Sequence, residues 1–111
     1  MKARSNFVRG TVDLMVLKAL EHGPAHGLQV ARWIREGSGD VVSFEDAALY
    51  QSLHRLERRG MVTSEWGRSD RNRRARFYRI TAKGRRRLVD ESEAFRALSG
   101  AILRLLRAGG A

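Results

Sequence analysis

Apolar residues recur along the chain with two different periods, and the change of period outlines the elements. From Thr11, which reads as an N-cap, Val12, Leu14, Met15, Leu17 and Leu20 return at three- and four-residue intervals. That spacing is one face of a helix, and Gly23-Pro24 stops it. A second helix is expected from about His26, with Leu28, Val30, Ala31 and Ile34 on its apolar side, ending at Gly37 to Gly39. The third is the best marked: Ser43 with Asp46 three residues on resembles a capping box, and Glu45 suits the positive dipole end. Its body runs from Ala47 to Arg59 and stops at Gly60. Steps of about 100° put Leu49, Leu53 and Leu56 on one side and Ala47, Gln51, His54, Arg55 and Arg58 on the other.

Past Gly60 the pattern changes. Met61 to Trp66 and Arg76 to Ile80 are rich in β-branched and aromatic residues and fit short strands. The polar tip Gly67 to Arg74 joins them into a hairpin. Thr81 is placed to cap a long last helix, roughly Ala82 to Arg107, whose apolar stripe is Leu88, Phe95, Leu98, Ile102, Leu105 and Leu106. The fold class is therefore mainly α with a small β-hairpin (α+β): a winged helix-turn-helix with a long C-terminal helix. Three segments follow: a loose basic arm over 1–10, a winged unit over 11–81, and the helix over 82–111.

Charge sharpens this picture. In 111 residues, 22 Lys and Arg face 12 acids, a formal net charge of +10. Between Arg68 and Arg87 ten of 20 residues are basic and only Asp70 is acidic, so that segment alone nets +9. A merely solvated surface scatters its charges, so this concentration at the hairpin points to an acidic partner, with nucleic acid first. Arg68, Arg71, Arg73 and Arg74 sit at the tip and Arg76 and Arg79 on the return strand. Arginine suits phosphate because its fork makes paired, directional bonds.

On the outward side of the third helix, Gln51 and Arg55 match the edges of adenine and guanine respectively. His54 has three open roles: base edge, phosphate contact or plain exposure. Tyr50 flanks the same surface, as a phosphate donor or a packing residue. Glu57 reads as a surface ion-pair partner, and Trp33 and Trp66 as core or hairpin packing.

Other classes find little support. The chain has no cysteine, which excludes disulfides and thiolate chemistry and agrees with a reducing cytoplasm. It carries no P-loop, dinucleotide or nucleophile-elbow motif, so no enzyme and no cofactor are expected. His22 and His26 have a zinc-like spacing, but Gly23-Pro24 interrupts any helix between them. The basic N-terminus lacks an apolar stretch, and no run is long enough to span a bilayer, so a soluble, cytoplasmic protein is expected. An RNA-binding or protein-docking module using the basic hairpin remains the rival reading, although the stacking aromatics of an RNA-binding sheet are missing.

Three stretches carry a family resemblance. They are Gly10-Thr11-Val12-Asp13-Leu14-Met15-Val16-Leu17 with His22 to Gly27, Ala48-Leu49-Tyr50 through to Gly60, and Ser64 to Gly67 with Asn72 to Thr81 and Gly84. Together they resemble the short PadR-like regulators over roughly residues 9–90. Two departures are Gln51, where the family usually has proline, and Glu45-Asp46-Ala47, where glycine is common. The resemblance implies a winged-helix homodimer on double-stranded DNA with a palindromic operator, usually a repressor, whose last helices pair. The residues of that helix agree, since its stripe is longer than the rest of the chain can cover. Dimerisation through Leu88, Phe95, Leu98, Ile102, Leu105 and Leu106 is the expectation. A membrane-surface helix using Arg85, Arg86, Arg87, Arg104 and Arg107 is its rival. Some short relatives bind effectors between subunits through aromatics; with only Phe95 in this helix, such a site is not indicated.

Overall fold

The structure, a computed structural model, describes residues 6–110. Four helices and a small sheet follow in the order α1 (Asn6–Ala19), β1 (Ala25–His26), α2 (Gly27–Gly37), α3 (Asp46–Arg58), β2 (Val62–Arg68), β3 (Arg74–Ile80) and α4 (Ala82–Gly110). The sheet is antiparallel in the order β1-β3-β2, with Val62 opposite Ile80 and Arg68 opposite Arg74. This is the expected winged helix, with longer strands than the residue types alone suggested. The two-residue β1 was unforeseen. It exists because β3 offers a free edge, on which Ala25 pairs with Tyr78 and His26 with Phe77.

The core gathers one face of each element. Val12, Val16 and Leu17 of α1 and Leu20 just past its end meet Val30 and Ile34 of α2, Leu49, Leu53 and Leu56 of α3, and Tyr78 and Ile80 of β3. A fully buried aliphatic side chain contributes roughly 1.5–3 kcal/mol, so this cluster rather than helix propensity holds the short helices in place.

Helix ends differ from expectation in two places. The first helix begins at Asn6, so Thr11 lies inside it and residues 6–10 continue the helix instead of forming an arm. Val12 is buried one residue later, and that packing favours helix through the position. The remainder of the expected arm, 1–5, lies outside the described residues. The third helix begins at Asp46 with Glu45 as its N-cap and no side-chain cap bond, so the Ser43–Asp46 box does not form. The tight turn before it uses a different serine: Val42 N–H donates to Ser38 Oγ at 3.0 Å.

Two other starts are well made. His26 caps α2 through a reciprocal pair, its Nδ1 accepting from Gln29 N–H at 3.4 Å while its own N–H donates to Gln29 Oε1 at 3.0 Å. Thr81 caps α4 as expected. Its Oγ1 accepts from Gly84 N–H at 3.0 Å and donates to the Gly60 carbonyl at 2.7 Å. Gly84 must be glycine, because a Cβ there would collide with the Met61 carbonyl oxygen. These bonds fix where α4 leaves the hairpin.

The start of α4 packs on the core, and its next turns border α1 beside Gly10, Thr11 and Leu14. Leu88 is 4% exposed and belongs to the core, which corrects its assignment to a dimer stripe. Beyond it the helix projects, and Phe95, Leu98, Ile102, Leu103, Leu105 and Leu106 are all exposed. The two tryptophans are not core residues either: Trp33 and Trp66 are 45% and 55% exposed.

Candidate nucleic-acid interface

The outer side of α3 is set by what its inner side buries. Leu49, Leu53 and Leu56 face the core, which turns Ala47, Tyr50, Gln51, His54 and Arg58 outward, all exposed. They form a row of hydrogen-bonding and cationic tips along three turns.

Arg55 does not join that row. Its side chain is 16% exposed, and its Nη2 donates to Asp13 Oδ1 at 2.6 Å. The Nε reaches the second carboxylate oxygen at 3.4 Å, and Ser52 Oγ donates to Oδ1 at 2.6 Å. The expectation that Arg55 reads guanine is therefore corrected: α1 holds its guanidinium. The signal lay in Asp13, a carboxylate set inside the apolar run of α1. Once half-buried, such a group needs a cation and donors.

The wing is the β2–β3 hairpin. Its turn closes through Asn72 N–H to the Ser69 carbonyl at 2.8 Å and Ser69 N–H to the Arg73 carbonyl at 2.8 Å. Asn72 takes a left-handed conformation at φ 58°, a region asparagine tolerates well. Arg68 donates to the Asn72 carbonyl at 3.3 Å from an exposed position. Arg71 and Arg73 are exposed and, among the described residues, their guanidinium groups have no hydrogen-bond or ion-pair partner. Arg74 lies 4.3 Å from the Trp66 ring centroid and makes no ion pair among the described residues.

Arg76 is used differently from the expected DNA contact. Its Nε donates to Ser64 Oγ at 2.8 Å, and Ser64 in turn donates to Glu57 Oε2 at 2.5 Å. Arg76 Nη2 lies 3.8 Å from the same Glu57 oxygen, and its guanidinium stands 5.4 Å from the Trp66 ring on the wing. This chain ties the wing to α3. Glu57 is thus the ion-pair partner that the sequence suggested, and Trp66 packs on the hairpin as a stacking platform for two arginines. Beneath it, burial raises the Tyr78 hydroxyl above its ordinary pKa, with Glu57 adding to the effect and Arg76 opposing it.

Between α2, α3 and the wing lies an open cleft of about 710 Å³. Tyr50 and His54 border it from α3, Trp66 and Arg74 from the wing, and Arg32 from α2. Tyr50 fits because Gly27 has no side chain: a Cβ there would stand 2.7 Å from the tyrosine oxygen. Sequence spacing had drawn no attention to Arg32, since nothing in one helix reveals which loop folds over it. His26, half of the zinc-like pair, serves as a helix cap, and the described residues contain no cluster of ligands fit for a metal. No helix among the described residues is long and apolar enough to cross a membrane.

Known proteins resemble this chain in sequence or in fold. Transcriptional regulator Rv3488 of Mycobacterium tuberculosis is 33% identical over 87% of each chain. A transcriptional regulator from Clostridium thermocellum has a similar structure at a TM-score of 0.79 and 26% identity, covering 93% of this chain and 97% of its own. PadR of Bacillus subtilis, whose structure contains operator DNA, shares the fold at a TM-score of 0.64 and 21% identity, covering 72% of this chain and 45% of its own. Residues 16–90 match the Transcriptional regulator PadR-like family. The cap at Thr81, the glycine under the Met61 carbonyl and the helix-plus-wing surface all lie within that span or at its edge, and the chain belongs to the PadR-like family of transcriptional regulators.

Proposed function

We propose that the chain is a sequence-specific DNA-binding regulator, a cytoplasmic repressor that works as a homodimer on a palindromic operator. The observation that carries this reading is the exposed row Gln51, His54 and Arg58 beside a wing whose Arg71 and Arg73 have no carboxylate partner among the described residues. A major groove admits a helix of this kind, and glutamine pairs naturally with adenine there. Unpaired arginines beside it suit the flanking phosphates, which position the helix without reading sequence.

Residues 11–81 act as the DNA-binding unit and 82–111 as the dimerisation helix. The exposed apolar residues of α4 support the second assignment, because a stripe from Phe95 to Leu106 left in water favours self-association. Two subunits then present two α3 helices to successive major grooves, about 34 Å apart. Gln51, His54 and Arg58 face the bases or their edges; Tyr50 and the wing arginines Arg68, Arg71, Arg73 and Arg74 hold the backbone.

The experiment is selection of bound sequences from random duplex DNA at near-physiological salt. A two-fold symmetric site with half-sites about one helical turn apart is the expected result. Recovery of no motif, with binding that fades uniformly as salt rises, would reduce the chain to a generic polyanion binder. The RNA and protein-partner readings would then lead.

A further inference from the structure

Three consecutive carbonyls just past α3 are all held by the start of α4. The helix closes its own end first. Met61 N–H donates to the Leu56 carbonyl at 2.9 Å and Gly60 N–H to the Glu57 carbonyl at 3.0 Å, with Gly60 left-handed at φ 75°. That leaves the carbonyls of Arg59, Gly60 and Met61, and α4 takes each of them. Thr81 N–H donates to Met61 at 3.0 Å, Thr81 Oγ1 to Gly60 at 2.7 Å, and Lys83 Nζ to Arg59 at 2.7 Å. The Thr81 bonds have local duties: one extends the sheet past the Val62–Ile80 pair, and the other shares the hydroxyl that caps α4. Lys83 has no local duty. It is exposed, and its ammonium makes no other hydrogen bond or ion pair among the described residues.

That bond joins two helices whose relative angle has a long reach. One of them, α4, carries the exposed stripe Phe95, Leu98 and Ile102, and the other, α3, carries Gln51 and His54. In a dimer paired through α4, the distance between the two α3 helices is fixed only as well as each α3–α4 angle is. At about 1.5 Å per residue, Lys83 to Ile102 is a lever of roughly 28 Å, so a tilt of about 7° moves its end by about 3.4 Å, one base-pair step. The lysine charge also suits the negative dipole end of α3. We infer that Lys83 is a positioning residue for operator choice: its grip on the Arg59 carbonyl holds α3 and α4 at one angle and so sets the spacing of the half-sites. The inference rests on the proposed homodimer on a palindromic operator and names what fixes its spacing.

The test uses the intact chain and the symmetric site recovered by selection, with one base pair inserted or removed at its centre. Wild type is compared with Lys83→Met, which keeps the stem and loses the donor, and Lys83→Arg, which keeps a donor. For wild type, either change of spacing should weaken binding about tenfold, the order of one mismatched base pair. Lys83→Met is expected to bind the original site within about threefold of wild type, the size of one helix-end charge, and to cut the spacing penalty to about threefold. Lys83→Arg should restore wild-type discrimination. A lysine that only stabilised the fold would lower the thermal midpoint and leave the spacing penalty as it was, so an unchanged penalty in Lys83→Met overturns the inference. Equal relaxation in both variants overturns it too, because the donor is then not what counts. The slope of log affinity against log salt should stay at the wild-type value in Lys83→Met; a slope reduced by about 0.9 would make Lys83 a phosphate contact and overturn the positioning role. If wild type yields no symmetric site, the homodimer reading fails and the inference with it. A symmetric site that tolerates all three spacings alike overturns the inference alone.

Discussion

Asp13 of α1 and Arg55 of α3 form an ion pair at 2.6 Å across the helix-turn-helix, with each side chain no more than 16% exposed. The pair cancels one charge on the helix that faces outward through Gln51 and His54, and Ser52 completes it from the same carboxylate. Asp13→Ala should cost about 1.5–3 kcal/mol, the range for hydrogen bonds to charged groups, because it strands a half-buried guanidinium. Denaturant unfolding measures the loss. In selection from random DNA, Arg55→Ala should keep the wild-type base preferences, with weaker binding only through lost stability. A preference relaxed at one base pair would return Arg55 to the reading surface.

The wing gives a prediction of the opposite kind. Arg73 and Arg74 lie at or beside the hairpin tip and make no ion pair among the described residues. Replacing both with alanine should weaken binding to every duplex alike and reduce the salt slope by roughly two ions, about 1.8. Anisotropy titrations at several salt concentrations measure it. A slope equal to wild type removes both residues from the interface.

Ser64 separates bracing from contact. It bridges Arg76 at 2.8 Å and Glu57 at 2.5 Å, so it fixes the wing angle while itself standing behind the interface. Ser64→Ala should lower operator affinity through a looser wing but leave the salt slope unchanged, since no phosphate contact is lost. A flattened slope would mean that the brace also presents an arginine to phosphate.

How far this was readable in advance depends on whether the cause was local. The heptad-like burial of Leu49, Leu53 and Leu56, the strand character around Trp66 and the cap at Thr81 rest on neighbours within a few residues, and the chain displays them directly. Arg55 is different. Its position on the helix wheel is outward, and only Asp13, 42 residues away, draws it in. Arg76 was turned inward for the same reason, by Glu57 and Ser64. Arg32 was invisible because the cleft it lines is made by a hairpin that follows it by more than thirty residues. Gly84 stood out as part of a motif, but its physical reason, the Met61 carbonyl beneath it, is a tertiary contact. Arginines are the least legible residues here, since each can serve a carboxylate, a ring or a phosphate and sequence does not say which.

The projecting part of α4 carries the last prediction. After Leu88 enters the core, the helix continues to Gly110; Gly10, Thr11 and Leu14 of α1 border it beside Glu91 to Leu98, yet its apolar residues stay exposed. Phe95, Leu98 and Ile102 are 37%, 45% and 41% exposed, in helical register at intervals of three and four. Such a stripe is too regular for scattered surface residues, and no charge interrupts its register. Pairing with a second copy, as proposed above, would remove it from water. Burying each aliphatic side chain contributes roughly 1.5–3 kcal/mol, so placing charges at two of them opposes association by at least about 3 kcal/mol, over a hundredfold in the dimer constant. Leu98→Glu/Ile102→Glu should therefore sediment as a folded monomer where wild type sediments as a dimer. Its helical content and core stability should change little, because neither residue belongs to the core. Operator binding should fall more steeply than binding to random duplex, since only the symmetric site needs both subunits. A variant that still sediments as a dimer would show that the stripe is not the interface and would leave its exposure to be explained by a different partner.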